Sequence, residues 1–150
     1  MSDEPAGQDG ADDAADGLSQ ADYEALAAFR HALRGFTAFS EAAAHAAGLT
    51  PQQHQGLLAI KGAPGGAART VGDIAEALLV RPHTAAELVS RLEAMGLVRR
   101  TTDRKDRRRV RVSLTPAAER TLHELTTAHV RELRGIRPAL LRLLKQFGEG

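Results

Sequence analysis

Apolar residues recur at helical spacing through most of this chain, but between residues 97 and 115 the period shortens to two. Val110, Val112 and Leu114 alternate with Arg109, Arg111 and Ser113, the pattern of a half-buried strand. Leu97 to Thr101 is placed to pair with it, and polar Thr102 to Arg108 is left as a long hairpin tip. One hairpin among helices makes the fold mainly α with a small β-hairpin and excludes a sandwich, a barrel or a doubly wound sheet. The chain has 150 residues, the length of one ordinary domain. Hydrophobic residues make up 43% and aromatics only 3%, so the core must be aliphatic and Ala-rich.

The helices announce themselves by their caps. Ser19 with Asp22 has capping-box spacing, and Leu18 and Tyr23 occupy the staple positions around it. Leu26, Phe29, Leu33 and Phe36 follow at helical spacing, so a first helix is expected to about Ala47, ending at Gly48. Thr50-Pro51-Gln52-Gln53 opens a second, with Leu57, Leu58 and Ile60 on its apolar side. Gly62 to Ala68 reads as a flexible connection. Thr70 and Asp73 cap a third helix to about Leu79, and Arg81-Pro82 restarts the chain into a fourth that runs to Met95 and stops at Gly96. Thr115-Pro116 starts a helix lined by Leu122, Leu125, Val130 and Leu133. Gly135 and Pro138 are expected to interrupt it, leaving residues 139–147 as a separate last helix. No internal repeat is present.

Charge is distributed unevenly. Residues 1–17 carry six acids and no base, and after Met1 no aliphatic residue larger than Ala, so a disordered acidic tail is expected there. Residues 81–111 carry ten bases and four acids, and eight of those bases crowd into residues 99–111. Packed so closely they repel one another, and two acids, Asp103 and Asp106, cannot neutralise them. Phosphate relieves that repulsion, and each neutralised charge releases a counterion. The acidic start is not read as a signal peptide, and no apolar run reaches the roughly 20 residues of a membrane span, so the location expected is cytoplasmic and no membrane partner is expected. Without cysteine there is no disulfide, no Cys-based zinc site and no thiol switch.

Residues 70–115 thus order as helix, tight turn, helix, hairpin. On the fourth helix Leu88, Leu92 and Met95 share a stripe, with Ala85 beside them and His83, Ala86, Glu87 and Ser90 opposite. A helix entering the major groove exposes its N-terminal face in this way.

In order and spacing these segments resemble the MarR (multiple antibiotic resistance regulator) family of bacterial winged-helix proteins. The residues that carry the resemblance are Gly48-Leu49-Thr50, Gly72-Asp73-Ile74-Ala75, the run from Leu92 to Arg100, and Asp106-Arg107-Arg108 followed by Val110, Val112, Ser113, Leu114 and Thr115. The resemblance covers residues 18–147. It implies a winged helix-turn-helix lobe over 49–114 and a helical dimerisation region built from 18–48 and 115–150. It makes the fourth helix the recognition helix and places Arg108 in the minor groove, oriented by Asp106. The DNA-contacting set is then Thr70, Pro82, His83, Thr84, Glu87 and Arg91 on the helices, with Arg104, Asp106, Arg107 and Arg108 on the wing. The resemblance also implies a repressor that releases a pseudo-palindromic operator when a small, often aromatic or anionic effector binds between dimerisation helices and lobe. His31, Arg34 and His54 are the polar groups that would border such a cleft. Two residues depart from the family pattern. Glu87 stands where a base is common, and Ala118 replaces a common Gly.

Partner symmetry follows from the end of the chain. Leu140, Leu141, Leu143 and Leu144 cover too wide an arc for one buried stripe, so some must face a second copy, and a homodimer is expected. An enzyme is disfavoured. The six His, at 31, 45, 54, 83, 123 and 129, form no His-x-x-x-His pair, and GAPGGAA lacks the Lys of a phosphate loop. No cofactor or metal is expected. The alternative is a winged-helix module that binds protein or partners another regulator, which Glu87 and the acidic tail favour and the basic hairpin opposes.

Overall fold

The computed structural model describes residues 17–148, so the acidic tail expected over 1–17 lies outside the described residues, apart from Gly17. The helices α1 (Gln20–Ala46), α2 (Pro51–Lys61) and α3 (Val71–Leu78) begin where their caps predict. Ser19, Thr50 and Thr70 each accept the N–H of the residue three places on, whose side chain accepts the cap residue's own N–H. Each cap satisfies donors that would otherwise be orphaned and contributes about 1 kcal/mol. Then come α4 (Pro82–Ala94), β2 (Val98–Thr102), β3 (Val110–Leu114) and α5 (Pro116–Phe147).

The hairpin register pairs Val98 with Leu114 and Thr102 with Val110. A third strand, β1 (Arg69–Thr70), joins the other edge of β3, with Arg69 opposite Val112, in the order β1-β3-β2. Two residues are too few to show a period, so this strand, just after the connection read as flexible, leaves no pattern in the sequence, and the connection itself holds a 3₁₀ turn at Pro64–Gly66. Val112 and Val98 point inward, onto Leu57, Ile74, Val89 and Leu92. This core draws Ala44 from α1 and Ala118, Leu122 and Leu125 from α5, which welds the lobe to both long helices. Gly56 lets α2 approach α4 closely, since a Cβ there would stand 3.0 Å from Leu88.

Two expectations are corrected. Helix α5 runs unbroken through Gly135 and Pro138, so residues 139–147 are not a separate helix. Proline removes one backbone hydrogen bond but its φ suits a helix. Hydrogen bonds to antiparallel α1 flank it on both sides: His129 Nε2 lies 2.8 Å from Ser40 Oγ, and Gln146 donates to Asp22 at 2.7 Å. Met95 does not continue the buried stripe of α4. The helix ends at Ala94, and Met95, 44% exposed, turns into Gly96 at φ 73° while Val89 fills the core. The apolar stripe of α1 is not core within one chain: Leu26 and Leu33 are exposed and Phe29 and Phe36 only half-buried.

Candidate nucleic-acid interface

Pro82 occupies the first turn of α4, where its missing N–H costs nothing, and it lies at the start of the helix's exposed side. His83, Glu87 and Arg91 are exposed on that side and Thr84 is half-buried beside them. Thr50, the cap of α2, and Gln52 and Gln53 within it border the same face across a shallow cleft lined by Thr84, Glu87 and Arg91. Thr70 is half-buried, and its hydroxyl is engaged as the cap of α3.

The wing tip is built from two aspartates used alike. Asp103 Oδ1 accepts the N–H of Lys105 at 3.0 Å, and Asp106 Oδ1 accepts that of Arg108 at 3.1 Å, each a side-chain-closed turn. Asp103 N donates to the Arg109 carbonyl at 2.9 Å and closes the loop. Asp103 also takes Arg111 at 3.0 Å. The Lys105 N–H and then the Arg111 guanidinium hold its carboxyl below the ordinary aspartate range. Asp106 therefore shapes the backbone under Arg108 rather than gripping its guanidinium. Arg100 Nη2 donates to Ser90 Oγ at 2.7 Å, and its Nε lies 3.9 Å from Glu93, so β2 is tied to the flank of α4.

Of the eight bases in residues 99–111, Arg100 and Arg111 are thus engaged. Among the described residues the other six, Arg99, Arg104, Lys105, Arg107, Arg108 and Arg109, form no ion pair, and all are exposed. An exposed helix face and an unneutralised wing therefore lie on one lobe, joined by Arg100.

A family model described as the MarR family matches residues 47–109, the segment holding α2 to the wing. Over this lobe the chain is similar to the MarR family. Its fold is similar to that of AbsC, a MarR family transcriptional regulator from Streptomyces coelicolor, at 24% identity over 82% of each chain with TM-score 0.65. A MarR family protein from Bacillus stearothermophilus aligns at 23% identity over 85% of this chain and 81% of its own, TM-score 0.67. A mutant of MepR from S. aureus, bound to an oligodeoxyribonucleotide, aligns at 24% over 76% and 80%, TM-score 0.63. No curated protein matches significantly. The mainly helical winged-helix fold is therefore that of MarR-family transcriptional regulators, and no helix among the described residues is long and apolar enough to cross a membrane.

Within this MarR-family fold the three residues expected to border an effector cleft separate. His54 is 2% exposed and lines a cavity of about 210 Å³ between α1, α2 and α5, with Phe36, Ser40, Thr126, His129 and Leu133. His31 and Arg34 lie exposed on α1 and do not line it. His54 Nδ1 is buried without a hydrogen-bond partner. Burial and then the neighbouring His129 lower its pKa from the ordinary value. His129 and Ser40 were not anticipated, because their pairing joins residues 89 apart in sequence. The contact of Asp103 with Arg111 has no signal in the sequence either, because it is diagonal across the hairpin and depends on its register.

Proposed function

We propose that this chain is a sequence-specific, double-stranded-DNA-binding transcriptional regulator that works as a homodimer. Helix α4 enters the major groove through Pro82, His83, Thr84, Glu87 and Arg91, and Arg108 reaches the minor groove while Arg104 and Arg107 meet phosphate. Thr70 supports the helix that precedes α4. The observation that carries this reading is the set of six exposed bases on one wing, with no ion pair among the described residues, beside the exposed face of α4. A solubilising loop does not need charge of one sign. The oligonucleotide bound by the MepR mutant supports the same reading by likeness of fold.

Dimerisation is supported by apolar side chains on α1 and α5 that one copy leaves uncovered: Leu26, Leu33, Leu133, Leu141, Leu144 and Phe147. Apolar side chains left exposed along two long helices suit an interface. A twofold dimer presents two α4 helices and two wings to a pseudo-palindrome. We assign effector response, as a repressor released by a small aromatic or anionic compound, to the His54 cavity. His31 and Arg34 would reach an effector only from its outer rim or from the second copy.

The test is selection of genomic fragments by the purified full chain, followed by sequencing. The reading expects a recurrent inverted repeat. Recovery of fragments without shared sequence would leave the protein-interaction module as the better reading.

A further inference from the structure

Glu87 is an acid on the face proposed to meet DNA. It lies one turn beyond Thr84 and one turn before Arg91, so it is central to the exposed side of α4 rather than at its margin. It is exposed, and the ion pairs among the described residues, Lys61–Glu119, Arg100–Glu93 and Arg111–Asp103, do not include it. Ser90, the next polar residue towards the wing, is already taken by Arg100. Among the described residues nothing therefore uses this carboxylate, and phosphate would repel it.

Resting on the DNA-binding reading, we infer that Glu87 is a specificity-determining residue that accepts a hydrogen bond from a cytosine amino group in the major groove. Two base edges present a donor there, cytosine N4 and adenine N6. On adenine the amino group stands beside the N7 acceptor, whose lone pair repels the second carboxylate oxygen. Cytosine has no acceptor of its own on that edge, so a carboxylate prefers it. An amide reverses the choice, because its N–H₂ donates to N7 while its oxygen accepts from N6. The same carboxylate disfavours binding wherever no amino group meets it, which lowers affinity for unrelated DNA.

The experiment selects duplexes from a randomised library with the full-length wild-type chain, Glu87→Gln and Glu87→Ala. The wild type is expected to enrich cytosine at one position of each half-site, by about 5- to 150-fold over other bases. Glu87→Gln should move that position to adenine. Glu87→Ala should lose the preference there, keep the rest of the operator and bind unrelated DNA more tightly. If all three proteins select the same base at every position, the inference is overturned while the DNA-binding reading stands. If the wild type enriches no sequence, both fall.

Discussion

His54 on α2 and His129 on α5 pack with ring centroids 4.9 Å apart at the junction of the lobe and the long helices. A carbonyl only accepts, so the 2.6 Å approach to the Leu125 oxygen fixes a proton of His129 on Nδ1, and its Nε2 lies 2.8 Å from the Ser40 hydroxyl. His54 has no such relief, and its pKa is held below the ordinary value near 6.5 by burial and then by His129. The unfolded chain then binds a proton that the fold refuses. Stability from this site is complete above about pH 6.5 and is lost as pH falls towards the lowered value. The melting temperature should fall between pH 7.5 and 5.5, and His54→Leu should reduce that slope. Identical slopes in calorimetry would remove His54 as its source.

Leu79 holds a left-handed conformation, φ 55° and ψ 41°, at the end of α3, and is 92% exposed. It contributes almost no packing, while its Cβ costs about 1–2 kcal/mol in that conformation. Leu79→Gly removes the strain and returns part of the gain as chain entropy. The expected net is about 0.5–1 kcal/mol of stabilisation, or roughly 1–4 °C in a thermal melt. A lower melting temperature would show that Leu79 is packed in the assembled protein.

Removing residues 138–150 takes away Leu141, Leu144 and Phe147 together with the Gln146–Asp22 hydrogen bond. Light scattering should then report monomer, or the protein should become insoluble. A soluble dimer after that truncation would place the interface elsewhere.

Where local chemistry decides, the sequence was readable. The caps at Ser19, Thr50 and Thr70 and the alternation at Val110, Val112 and Leu114 set their elements to within a residue or two. Where distant packing decides, it was not. Pro138 reads as a break because its neighbour in space, α1 (Gln20–Ala46), is distant in the chain. Met95 obeys the stripe of α4 in projection, yet the helix has already ended. On the candidate interface the charge of the wing was visible in composition. The tasks of its members were not: Arg111 and Asp103 brace the tip, Arg100 joins β2 to α4, and Asp106 holds a backbone N–H. Such roles depend on register and on the orientation of one element against another.

The central claim is that wing and helix bind DNA together, and a salt titration of DNA affinity tests it most directly. The full-length wild-type chain, Arg104→Ala and Arg108→Ala would be measured against a selected operator and an unrelated duplex from low to moderate salt. The account predicts that log affinity falls linearly with log salt for the wild type. Arg104→Ala should weaken both duplexes alike and reduce the slope by about 1 for each phosphate left without its guanidinium. Arg108→Ala should cost roughly 1–3 kcal/mol per half-site, mainly on the operator. Affinity that ignores salt, or two variants indistinguishable from wild type on both duplexes, would contradict the account.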